Sequence, residues 1–270
     1  MNLSNIFSRK NRILLSELVI TDFKLRYQGS VLGYLWSLLK PLLLFTILYL
    51  VFVKYLRFGA DIAHFEIYLL LGVVLWNYFV ESTNQGLHAI VNRSDMIRKI
   101  NFPKYIIVLS TSISALINLL INLVVVILFA VLSGVEFRSS ALLLPINIVE
   151  LYIISLSFAF LLSALMVKFR DINYIWEVIM QALFYLTPII YPISMVINTS
   201  ELAAKILLLN PVAMVIQDAR YNLISEQTVT TSNFITNPLI VAIPYILIVL
   251  LILIASSYFK NNSKHFAENI

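Results

Sequence analysis

The chain has 270 residues, of which 60% are hydrophobic and only 12% charged, with a net charge of +5. A soluble domain carries about a quarter charged residues, so a water-soluble enzyme is excluded and a polytopic membrane protein is indicated. No cysteine is present, which excludes disulfide, iron–sulfur and thiolate–zinc chemistry.

The first thirty residues are basic and polar, and they lack the clean apolar core of a signal peptide. Over 13–27, Leu14, Leu18 and Leu25 share one helical face, and Asp22 and Arg26 are spaced i,i+4. This predicts an interfacial helix of moderate amphipathicity. Residues 26–41 then convert the polar segment into an apolar run, with Gly29 and Gly33 permitting a bend. A membrane span needs about 20 apolar residues. Six stretches qualify: 32–53, 65–86, 105–135, 141–167, 174–191 and 239–259. With both ends cytoplasmic, thirteen lysines and arginines fall inside and five outside, while Lys40 lies within the first span. That bias predicts cytoplasmic termini.

Residues 92–104 join the second and third spans. Arg93, Asp95, Arg98 and Lys99 supply charge, Ile97 an apolar side, and Phe102-Pro103 a stop, because the residue before proline is pushed out of helical geometry. The residues alone fit a basic loop facing anionic lipid better than a helix seated in a partner's groove. Arg170 and Asp171 lie in a turn so tight that the fourth and fifth spans must be neighbours.

Polar residues recur at helical spacing inside the spans: Asn77, Glu81, Asn84 and His88; Thr111, Ser114, Asn118 and Asn122; Tyr174, Glu177, Gln181 and Tyr185. Such stripes line hydrated paths or make interhelical hydrogen bonds. For the Thr111–Asn122 stripe, packing is the favoured reading. Trp36, Trp176, Phe184 and Tyr185 are aromatics suited to a conduit, as well as to an interfacial belt. Over 187–238 the prolines 188, 192, 211 and 238 interrupt any continuous helix. This predicts short re-entrant helices forming an outer gate, or an ordered outer loop. No P-loop, H-E-x-x-H or G-x-S-x-G motif occurs, so neither catalysis nor a metal site is expected.

Several of these segments together resemble the membrane subunit of ABC-2 type exporters of lipid-linked polysaccharides, including O-antigen, capsule and teichoic acid permeases. The resemblance rests on residues 23–41, 100–104, 169–172, 184–192, Asn210-Pro211 and 266–270. It implies an all-α membrane protein of the bacterial cytoplasmic membrane. Six transmembrane helices, an N-terminal interfacial helix and short re-entrant helices before the last span are expected, with both termini cytoplasmic. Residues 1–30 would be the gate helix, 31–260 the transmembrane domain and 261–270 a cytoplasmic tail.

The resemblance further implies a homodimer with two copies of a separate ATPase. That partner would bind ATP and Mg2+, leaving no cofactor in this chain and no role for nucleic acid. Residues 93–103 would then be the coupling helix, reversing the lipid-facing reading. Arg93, Asp95, Ile97, Arg98, Lys99, Phe102 and Pro103 would meet the ATPase, with Arg170 and Asp171 as a second contact. Lys24, Arg26 and Lys40 are the cations placed to meet a pyrophosphate at an entrance gate. Trp36, Glu81, Glu177, Gln181, Phe184 and Tyr185 are candidate conduit residues. The expected function is ATP-driven export of an undecaprenyl-diphosphate-linked polysaccharide or teichoic acid. An ABC-2 exporter of a drug or lipid and an ion-driven flippase stand as alternatives.

Overall fold

The computed structural model describes residues 8–26, 30, 32–59 and 62–269, without the side chains of Leu25, Arg26, Tyr34 and Asn269. The described residues form helices and connecting turns, with no strand among them. Helix α1 (Arg9–Arg26) packs along α5 (Tyr105–Leu132), to which Ser114 Oγ ties it by donating to the Val19 carbonyl at 3.4 Å. After α1 the chain bends at Gly33, whose φ of +50° costs a glycine nothing. Gly29, the other expected bend residue, lies outside the described residues.

Helix α2 (Trp36–Leu48) carries Pro41 internally and continues as a π-helical stretch over Tyr49–Tyr55. Helix α3 (Phe65–Ala89) is the centre of the fold, with Ile67–Trp76 buried without interruption. Around it pack α2, α5, α6 (Leu144–Lys168) and the helix Pro211–Leu223.

Five helical stretches are long and apolar enough to cross a membrane: Trp36–Tyr55, Phe65–Ala89, Tyr105–Leu132, Ser139–Lys168 and Pro238–Glu268. The stretch expected as the fifth span behaves differently. There α7 (Ile172–Leu186) has 15 residues, about 22 Å at 1.5 Å per residue, and falls short of a ~30 Å hydrocarbon core. It stops because Thr187, preceding Pro188, takes an extended conformation.

Beyond it come α8 (Ile193–Thr199), α9 (Glu201–Leu208) and α10 (Pro211–Leu223). Helices α9 and α10 meet at 94° and together form a sixth, broken or re-entrant, segment. The bend is set by Asn210, whose Oδ1 caps α10 by accepting from the Val212 N–H at 3.0 Å. Two single-turn helices, α11 (Thr231–Phe234) and α12 (Pro238–Val241), lead into α13 (Ile243–Asn262).

Three apolar clusters are distinct among the described residues, the least of them formed by Ile193, Ala204 and Leu208. The largest runs along α3. The second, a small core, gathers Ile90, Ile97, Phe102, Val167, Phe259 and Phe266 at the end of the bundle where the basic connecting segments lie. The C-terminal segment docks on this core. A last turn, α14 (Phe266–Asn269), follows α13, and Phe266 is only 1% exposed.

Candidate functional site

The polar stripe of α3 emerges from the core over the last four turns of that helix. There it lines three adjoining cavities, and Asn84 borders all of them. The first, of about 600 Å3, lies between α3 and α7 and brings together Glu177, Gln181, Phe184 and Tyr185 with Trp76 and His88. The second, of about 490 Å3, lies among α2, α3 and α5 and contains Trp36, Lys40, Glu81 and Asn118. The third reaches the basic end through Asp22, His88, Arg93 and Thr111. The six candidate conduit residues thus divide between two neighbouring cavities, and Lys40 joins the second. Lys24 is exposed on α1 and lines none of the three, while the side chain of Arg26 lies outside the described atoms.

Glu81 is held in position. Its carboxylate accepts from Asn118 Nδ2 at 2.7 Å and from Gln85 Nε2 at 3.0 Å. Asn122 of the same stripe serves packing: its Nδ2 donates to the Ser37 carbonyl at 3.2 Å and to the Asn118 carbonyl at 2.8 Å, whereas Thr111 borders the third cavity. Trp176 lines none of these three cavities. It is buried against Phe158, with ring centroids 5.3 Å apart, and its Nε1 donates to Thr83 Oγ1 at 3.4 Å.

At the basic end, the 3-10 turn Val91–Arg93 leads into α4 (Ser94–Lys99). The helix ends where Ile100 becomes extended ahead of Phe102-Pro103. Two residues expected at a partner contact are turned inward: Ile97 is 3% and Phe102 7% exposed. Their apolar side chains complete the small core and fix α4 to the bundle. Arg93 is also committed internally. Its Nη2 forms an ion pair with Asp22 of α1, and Ser110 Oγ donates to the same carboxylate at 3.1 Å. Asp22, placed i,i+4 from Arg26 by its spacing, therefore binds across the fold.

Asp95, Arg98, Lys99, Arg170 and Asp171 are exposed, and Pro103 is half-buried. Arg98, Lys99, Lys104 and Lys264 border a hollow of about 580 Å3 between α4 and the C-terminal turn. Burial there lowers the Lys104 ammonium from its ordinary pKa.

The opposite end holds a residue that charge counting treated as an outer cation. Arg220 falls in an outer segment by sequence, yet it is fully buried on α10. Its Nε donates to the Tyr68 carbonyl at 2.9 Å and Nη2 to Ile189 O at 2.8 Å. Nη1 donates to Pro188 O at 2.6 Å and to Gln217 Oε1 at 2.8 Å. The guanidinium also lies 3.6 Å from the Tyr68 ring centre. Arg220 thereby ties the break after α7 to the first turns of α3. The available sequence signal was one arginine following the apolar run 212–216 and the polar pair Gln217-Asp218.

A helical bundle with several membrane-crossing helices, a polar groove and a basic short helix at one end defines a multi-pass membrane transport subunit. The profile of the family described as ABC-2 type transporter matches residues 14–224. The chain belongs to that family. It is 29% identical over 263 residues to the O-antigen export system permease protein RfbA of Myxococcus xanthus, covering 96% of both chains. A protein of the same description from Klebsiella pneumoniae is 30% identical over 196 residues, covering 72% of this chain and 74% of its own.

Proposed function

We propose that this subunit moves an undecaprenyl-diphosphate-linked polysaccharide across the bacterial cytoplasmic membrane, driven by a separate ATPase. In this reading two copies pair, and each engages one ATPase that carries ATP and Mg2+. The observation that carries it is the set of three adjoining cavities along α3, all bordered by Asn84. That system joins aromatic faces with amide and carboxylate groups and reaches the segment leading into α4. Aromatic rings stack on the apolar faces of sugars while amides exchange hydrogen bonds with hydroxyls. The relatives named for O-antigen export point to the same cargo.

Lys40, at the mouth of the second cavity, receives the diphosphate, with Lys24 and Arg26 guiding it from α1. Trp36 and Glu81 then meet the leading sugars, followed by Glu177, Gln181, Phe184 and Tyr185. The ATPase docks on Asp95, Arg98 and Lys99, with Arg170 and Asp171 at the margin. Ile97 and Phe102 transmit its motion by anchoring α4 to the bundle.

The test is reconstitution with the cognate ATPase in proteoliposomes, reading ATP hydrolysis and glycan export together. Arg98→Glu with Lys99→Glu is expected to abolish export and to remove the stimulation of hydrolysis by lipid-linked glycan. Undiminished export in that variant refutes the assignment of α4.

A further inference from the structure

We propose that the groove selects an uncharged polyhydroxyl chain and rejects a polyanionic one such as a polyol phosphate, with Glu81, Asn118 and Glu177 as the selecting residues. This rests on the export function proposed above and narrows its cargo.

The first argument is hydrogen-bonding polarity. The second cavity presents the Glu81 carboxylate, positioned by Asn118 and Gln85. Beside it, Asn118 is 7% exposed, and its buried Oδ1 receives no hydrogen bond from any described residue. Asn118 helps to line this cavity, and its amide donates to the Glu81 carboxylate. A buried acceptor without a donor is costly. Sugar hydroxyls are donors as well as acceptors and can pair with the Glu81 carboxylate that lines the cavity, whereas a phosphodiester offers only acceptors. Glu177 adds a second carboxylate in the first cavity.

The second argument is charge. Among the described residues, Lys40 is the one lysine or arginine lining either cavity. One cation suits the single diphosphate of a lipid carrier and does not match a chain that repeats its phosphates. Each phosphate passing Glu81 and then Glu177 meets a like charge within a confined groove rather than in bulk water. Asn77, Asn84, Gln85 and Gln181 are neutral and add no compensating positive charge.

The experiment uses the subunit reconstituted with its ATPase and two probes on the same undecaprenyl diphosphate: a neutral hexose oligomer and a glycerol-phosphate oligomer of equal length. The wild type is expected to export the neutral chain on the order of tenfold faster, the effect of one like-charge contact at a partly solvated groove. Glu81→Gln with Glu177→Gln should shrink that ratio. Glu177→Gln alone, at an exposed position that does not bear on folding, should shrink it partway. Equal wild-type rates for the two probes overturn the selectivity and leave the export function standing. An unchanged ratio in both variants overturns the assignment to these residues. Export of neither probe, with ATP hydrolysis unaffected by both, removes the export function itself.

Discussion

Replacing Arg220 by leucine should release the break after α7 from the body of the protein. The arginine donates to three backbone carbonyls, at Tyr68, Pro188 and Ile189, and to the Gln217 side chain. The carbonyls at 188 and 189 lie outside helices, so α-helical bonding does not satisfy them. A hydrogen bond to a charged group is worth roughly 1.5–3 kcal/mol net, and orphaned buried partners add their own cost. These contributions overlap, and leucine recovers part of the apolar packing against Tyr68. A net loss of about 4 kcal/mol follows, in line with removal of one partner from a buried charged cluster.

At roughly 2–4 °C per kcal/mol for a chain of this size, unfolding in lipid nanodiscs should begin about 10 °C lower. Because the chain has no cysteine, Ile190→Cys supplies a single buried thiol beside the break, where Ile190 is 7% exposed. Labelling of that thiol should be slow with Arg220 present and many-fold faster with leucine. Lysine at 220 should rescue little, since a single ammonium cannot reproduce the planar fork. Equal labelling rates and unfolding temperatures within about 2 °C would refute the reasoning.

Gly72→Ala tests the same cluster from α3: its Cβ would lie 2.1 Å from Arg220 Nη2 and 2.9 Å from Cζ, so faster labelling of the Ile190→Cys thiol is expected here too. Asp22→Asn should loosen α1, and a double-mutant cycle with Arg93→Gln should return a coupling of about 1–3 kcal/mol in unfolding free energy. Additive losses would show that the ion pair does not couple the two elements. Phe266→Ala removes an aromatic packed edge-on against Phe259 at 5.4 Å; it should cost about 3 kcal/mol and raise protease sensitivity around Lys99. Gly86→Leu places a side chain where even a Cβ would lie 2.3 Å from Ala159 Cβ. It should destabilise the α3–α6 contact by about 1–3 kcal/mol, read in the same unfolding assay.

Periodicity and length made most of the helices legible, because a long apolar run has few alternatives in a membrane. Helix α7 departed from that rule. The run 174–191 has the length and composition of a span, but Thr187-Pro188 ends the helix after 15 residues. The polar stripe on α3 was legible as a stripe. That Glu81 and Glu177 border separate cavities depends on where α2 and α7 pack, which spacing along one helix cannot give. Arg220 was counted as an outer cation because charge counting assumes exposure. Its carbonyl partners on α3 and in the break lie 152 and 31 residues away in sequence. Ile97 and Phe102 looked like contact residues because a short helix between spans leaves no sign of which face is occupied. The small core that buries them draws on α3, α5, α6, α13 and α14.

The shared use of α3 has a mechanical consequence. Its last turns place Asn84 and His88 in the groove, while Ala89 and the adjoining Ile90 belong to the core that clamps α4. No flexible linker separates the two, since helix α3 passes directly into the 3-10 turn Val91–Arg93. The Asp22–Arg93 ion pair fastens α1 to that same turn, so α1 and α4 cannot shift independently while the pair is intact. A push delivered to Asp95, Arg98 or Lys99 therefore has two rigid routes: along α3 to the groove, and through Arg93 to α1. The C-terminal turn closes a third side, with Phe266 packed into the α4 core. Displacing α4 without moving the groove would require breaking either this core or the continuous α3 helix. Both cost more than the rearrangement of exposed side chains, so motion of the α4 segment and reshaping of the path should occur as one event.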